Sequence, residues 1–201
     1  EIIVEGPFGV KLVPGASGIQ HMASLNEQQT ASIISAFSEL ESDIDYLIVD
    51  MAAGLSDSVM TFLCACQRRY IVLKNEPSSI ADAYATIKVM LQDYNLDNIW
   101  LIPNAVTSQP DGIRLSKNIN TVVKNFLGGQ VNYLHSITAD EMVLRATKSS
   151  KCLLDFAPSS NATRDFKELA KIIDSQGPDI GISGGLQFFL ERIVADQVKV
   201  G

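Results

Sequence analysis

A chain of 201 residues with 46% hydrophobic side chains is long enough to bury one sizeable core. Its net charge of −7 and pI near 4.8 leave no broad basic face for neutralising nucleic-acid phosphates, so direct nucleic-acid binding is disfavoured. Its three cysteines, Cys64, Cys66 and Cys152, lack C-x-x-C or Cys/His ligand spacing, which points away from a disulfide framework or zinc site and fits a reducing cytosol.

The chain opens at Glu1 on the apolar, β-type run EIIVEG with no turn or cap before it, which reads as the start of a fragment. No apolar run reaches the roughly 18 residues that span a bilayer, and the first residues carry no secretory signature. GVKLVPGASG (Gly9 to Gly18) reads as a short strand followed by a loop broken by Pro14. Asn26 and Gln29 have capping-box spacing, and Ile33, Ile34, Phe37 and Leu40 then recur at helical spacing. DYLIVD (Asp45 to Asp50), RYIVLK (Arg69 to Lys74), NIWLIPN (Asn98 to Asn104) and QVNYLHSI (Gln130 to Ile137) are the expected strands. Amphipathic stretches near 56–67, 79–93 and 112–127 lie between them, the second opened by Ser79 and Asp82 at capping-box distance; two more follow near 139–148 and 161–174. Apolar strands alternating with helices predict an α/β fold: a mostly parallel central sheet with helices on both faces. DSQGPDIGISGG reads as a linker, 175–185, and the remaining segment 186–201 as an amphipathic helix; residues 1–174 would be the main domain.

In an open parallel sheet, ligands sit outside the carboxyl ends of the strands, so each strand end is a candidate site. Asp50 closes its strand, where a carboxylate can hold a hydrated magnesium ion beside nucleotide phosphates; the alternative is a carboxylate capping the helix that starts near Ser56. Ala52, Ala53 and Gly54 follow with little side-chain bulk, so backbone N–H groups there can approach a phosphate closely. Asn104 ends LIPN, where its amide can both donate to and accept from an adenine edge, or simply form a turn beside Pro103. Glu76 and Pro77 either wall a base pocket or make a turn. His21 and His135 have no local partner that marks a triad, and neither a G-x-S-x-G elbow nor a G-x-G-x-x-G loop is present. Cys64 and Cys66 are expected to face different sides of their helix.

Taken in order, DYLIVDMAAGLSDSV, EPSSIADAYATIKVM, NAVTSQPDGIRLSKNI and the tail GGLQFFLERIV resemble the MinD/ParA family of deviant Walker A ATPases, within it the branch that regulates flagellar number; the likeness runs from Glu1 to about Val198. The resemblance implies a P-loop NTPase fold of the SIMIBI type, with ATP/ADP and magnesium as cofactors. By position it implies that Asp50 is catalytic and holds magnesium through water, that the Gly54 N–H points at the γ-phosphate, and that Asn104 reads adenine. It further implies an ATP-driven homodimer, attachment to the inner membrane or cell pole through 186–201, and two partners, a signal-recognition-type GTPase of the FlhF kind and a flagellar master transcription activator.

The sequence also departs from that family. The family's N-terminal block, with its first strand, its Gly-rich phosphate loop and its lysines, has no counterpart in these residues, so ATP hydrolysis by this chain alone is not expected. In SITADE, Thr138 stands where the family usually has proline, and Asp140 is the nearest acid; Met51 follows the Walker B aspartate. The competing reading from another class is a non-enzymatic interaction module that keeps the fold and binds partners without nucleotide. A metabolic enzyme of the cobyrinate amidase or dethiobiotin synthetase kind finds no support in EPSSIADAY or the tail. Leu186, Phe189, Leu190 and Ile193 form the tail's apolar stripe. With Arg192 and Lys199 set against Glu191 and Asp196, any membrane affinity is expected to be mainly hydrophobic.

Overall fold

A computed structural model describes residues 3–14, 27–38, 44–51, 54–177 and 187–189. An antiparallel ribbon of β1 (Val4–Glu5) and β2 (Lys11–Leu12) comes first, followed by α1 (Glu27–Ser38). Next are α2 (Asp57–Ala65), β3 (Arg69–Leu73), α3 (Pro77–Gln92), β4 (Ile99–Val106) and α4 (Gln109–Leu127). Two short strands, β5 (Asn132–Tyr133) and β6 (Ile137–Thr138), precede α5 (Glu141–Lys148), α6 (Leu153–Phe156) and α7 (Asn161–Ser175). The main sheet runs β3-β4-β5, with β6 also on β4, and all its pairings are parallel.

The two faces are covered differently. On one, Ile71 and Leu73 of β3 and Leu101 of β4 pack with Ile87 and Met90 of α3 and with Leu115, Ile119 and Val123 of α4. On the other, Tyr70, Trp100, Ile102 and Ile137 meet Leu169, Ile172 and Ile173 of α7. Period-2 alternation along the strands thus feeds two separate cores, which is why these strands read as continuously apolar. Arg69 is buried at the start of β3 and donates to the carbonyls of Leu63, Cys64, Cys66 and Asp97, tying the end of α2 to the loop before β4.

Several local expectations are refined. DYLIVD forms no strand among the described residues, and β3 pairs there with β4 alone. Leu47 and Val49 pack beside Ile34, Phe37 and Phe62, whereas Ile48 is 88% exposed and Val72 of β3 is 60% exposed. Ser79 is not the cap of α3: Glu76 is, because Pro77 takes the first helical position, where its missing N–H costs nothing. The Ser79 hydroxyl instead accepts the Lys74 N–H at 3.0 Å. The expected strand at 130–137 divides into β5 and β6, although the Leu134 N–H still donates to the Leu101 carbonyl of β4 at 3.0 Å. Cys64 and Cys66 do face apart, the first toward the α3/α4 core and the second toward the α1/α2 cluster.

Of the tail, only Gln187–Phe189 is described, and it is a turn with Phe189 at φ 57, not the start of the helix expected over 186–201; the rest of that helix and most of the 175–185 linker lie outside the described residues, as does Asn26, and α7 takes up the linker's first position, Ser175. Phe188 is 2% exposed, stacked on Phe62 with ring centroids 6.2 Å apart and edge-on to Phe37 at 5.7 Å. Its N–H donates to the Ala65 carbonyl at 3.1 Å, and its carbonyl accepts Gln67 Nε2 at 2.8 Å.

Candidate functional site

The carboxyl ends of the strands carry the candidate site. Asp50 lies exposed just after Leu47 and Val49, which pack into the α1/α2 cluster. The cap of α2 is Ser56, whose hydroxyl accepts the Val59 N–H at 3.4 Å, so the alternative of Asp50 as that helix's cap falls away. Between them Gly54 has φ +124 and nothing within 4 Å of where a Cβ would stand. Only glycine adopts that backbone readily, and it leaves the N–H and Cα open to an approaching group. Among the described residues no three His, Cys, Asp or Glu groups cluster as a metal cage. A lone exposed carboxylate suits magnesium, which keeps most of its shell as water and phosphate oxygens.

Asn104 is half-buried on β4, which continues past it to Val106. Its Oδ1 accepts the Ala105 N–H at 2.9 Å, and Asn104 is not among the residues that line the cavity at the start of α4. Ala105 has φ 54, and the β4–β6 register slips between Asn104 and Val106. A non-glycine residue in the left-handed region costs about 1 kcal/mol, and such strain is concentrated at ligand sites.

Just beyond this bulge lies an open cavity of about 580 Å³, lined by Thr107, Ser108, Gln109 and Pro110 at the start of α4, by Thr138, and by Asn161, Arg164 and Asp165 of α7. A larger cavity of about 1140 Å³ opens at the opposite, amino ends of β3, β4 and β5, among Arg69, Asn98, Lys124 and Asn132. The smaller one is the better candidate, since parallel sheets bind ligands at carboxyl ends. Gly112 lets α4 approach this region: a Cβ there would stand 1.9 Å from Ser136 Oγ and 2.8 Å from Ser136 Cβ.

Thr138 lines the cavity, and the N–H that a proline would lack donates to Asp165 Oδ2 at 2.8 Å. Asp140 is not in the wall. Its carboxylate caps two helices, accepting the Met142 N–H at 2.9 Å and the Ala162 N–H at 3.1 Å, and these bonds hold its pKa below the usual carboxylate range. Glu76 is exposed at the start of α3, 3.9 Å from Lys74 Nζ, which makes it a helix-entry residue. His135 is partly buried, as a core or edge histidine would be, with Nε2 3.8 Å from Asp165 Oδ1. Sequence reasoning missed Asp165, because only the fold brings α7 beside β6.

No family model matches the chain. The antiactivator FleN of Pseudomonas aeruginosa is 37% identical over 194 residues, covering 96% of this chain and 69% of FleN. The chain belongs to the MinD/ParA family, on its FleN/FlhG branch. The flagellum site-determining protein YlxH of Helicobacter pylori is 29% identical over 198 residues, covering 96% of this chain and 67% of YlxH. The septum site-determining protein MinD of Pyrococcus horikoshii, solved with Mg-ADP, superposes with a TM-score of 0.67 at 21% identity, over 87% of this chain and 68% of that one. This MinD/ParA chain therefore has the P-loop NTPase fold.

Proposed function

We propose that the complete gene product is an ATP switch that regulates flagellar number and placement, and that this chain supplies its Walker B, base-side and tail elements. The observation that carries the reading is Asp50, exposed, freed from helix capping by Ser56 and followed by Gly54 at φ +124. Asp50 would orient a magnesium-bound water, the Gly54 N–H would meet the γ-phosphate, and Asn104 would read adenine. Magnesium, when bound, would neutralise phosphate charge. The antiactivator FleN and the flagellum site-determining YlxH support the flagellar role.

The proposal includes a homodimer that forms around ATP, with a cytoplasmic life interrupted by attachment to the inner membrane or cell pole. Residues 1–174 would be the ATPase domain, 175–185 a linker and 186–201 the targeting helix, with an FlhF-type GTPase and a flagellar master transcription activator as partners. Among the described residues no helix is long and apolar enough to cross a membrane, so attachment would rest on the tail. The buried Phe188 supports a tail that docks on α1 and α2 without ATP and is released in the dimer. Sedimentation of the complete gene product tests the switch: dimer with ATP, monomer with ADP. A species unchanged by either nucleotide would favour the interaction-module reading instead.

A further inference from the structure

One carboxylate fastens the wall of the base-side cavity. Asp165, in α7 with its side chain 16% exposed, accepts the Thr138 N–H at 2.8 Å and the Thr138 hydroxyl through Oδ2, and Gln109 Nε2 at 2.9 Å through Oδ1. Gln109 Nε2 also donates to the Ser136 carbonyl at 2.9 Å, while its Oε1 accepts the Tyr133 hydroxyl at 3.1 Å. The Ser136 hydroxyl lies 3.1 Å from the same Tyr133 oxygen. The start of α4, the β5–β6 segment and α7 are thereby joined through side chains that line the cavity or stand directly behind it.

A purely structural role explains this arrangement poorly. Leu169, Ile172 and Ile173 already seat α7 on the sheet, and a largely buried carboxylate is a weak source of stability because its desolvation offsets its attractions. What the carboxylate fixes is orientation. It holds the Gln109 amide with nitrogen toward Asp165 and Ser136 and oxygen toward Tyr133, and it pins Thr138 at the rim.

We infer that Asp165 is a positioning residue for the nucleotide base, acting through Gln109 and Thr138; the inference rests on the reading that this cavity takes the base. Without it, the Thr138 N–H and hydroxyl lose their acceptor and Gln109 is held only by Ser136 and Tyr133, so the wall is less firmly set and base binding weakens while phosphate binding does not. Its loss should weaken ADP binding about tenfold, the scale of one hydrogen bond to a charged group.

The test is calorimetric binding of Mg-ADP and of magnesium tripolyphosphate, which has no base, to the complete gene product. Asp165→Ala and the isosteric Asp165→Asn are both used, since an Asn amide can accept from only one of the two donor sets. The expected result is about tenfold weaker ADP binding, unchanged tripolyphosphate binding, and a Gln109→Ala/Asp165→Ala double variant no weaker than Asp165→Ala. Equal losses for both ligands, no loss for either, or additive losses in the double variant would overturn the inference. A wild-type protein that binds tripolyphosphate but not ADP would remove the base from this cavity, and one that binds neither would remove the nucleotide reading itself.

Discussion

Gly112→Ala sets two well-measured effects against each other. In an exposed helix the substitution stabilises by about 1 kcal/mol through helix propensity. Here α4 lies against the sheet, and the added methyl would stand 1.9 Å from Ser136 Oγ, 2.8 Å from Ser136 Cβ and 3.3 Å from Pro103 Cβ. The hydroxyl can rotate, but the Ser136 and Pro103 β-carbons are attached directly to backbone in fully buried residues. Overpacking of that kind costs about 1–3 kcal/mol, and displacing the Ser136 hydroxyl from Tyr133 adds about 1 kcal/mol. The clash wins, and the net expectation is destabilisation by about 1–3 kcal/mol after the propensity gain is subtracted. Urea unfolding of the complete gene product measures this, and Ser136→Gly on the same background should recover part of the loss. A Gly112→Ala protein that is more stable than wild type by about 1 kcal/mol would refute the close approach of α4 to Pro103 of β4 and to Ser136.

Three further outcomes follow from the same packing. Phe188→Ala removes a buried ring that contacts Phe37 and Phe62, a loss of about 3 kcal/mol in tail docking; nucleotide-free protein should then sediment with liposomes as the ATP-bound wild type does, and unchanged sedimentation would count against a docked tail. Arg69→Ala takes the donors from four carbonyls and should lower unfolding stability by about 3 kcal/mol, with Arg69→Lys restoring less than half of it because an ammonium cannot span the same carbonyls. Burial pushes the Cys66 thiol from 9.0 up to about 11, with Arg69 opposing. Because its folded pKa is raised, its stabilising contribution is complete below pH 9 and is lost as pH rises toward 11; mass spectrometry after alkylation at pH 8 should find exposed Cys152 modified and Cys66 intact.

The sequence was most informative where periodicity alone decides structure. The helices over 57–65, 77–92, 109–127 and 161–175 and the strands β3 and β4 follow from apolar spacing. It was less informative where one residue's chemistry competes with another's: Pro77 moves the start of α3 ahead of the Ser79 signal. DYLIVD shows a different limit, since an apolar run marks a buried segment, whereas a strand also needs partners for its backbone groups, and the described residues supply none. Asp50, Gly54 and Asn104 stood out as candidates because each ends or follows an apolar run. Asp165 was not, because on α7 it looks like any polar-face carboxylate until the fold sets it beside Thr138, 27 residues earlier. Phe188 is buried against Phe37 and Phe62, partners that no local pattern in the tail names.

The central claim is that Asp50 serves a magnesium–nucleotide site rather than the fold. ATP turnover by the complete gene product, wild type against Asp50→Ala, tests it most directly, with urea unfolding measured on both. The expected result is matching unfolding midpoints, because Asp50 is exposed and caps no helix, together with loss of turnover in the variant. Undiminished turnover in Asp50→Ala would contradict the account.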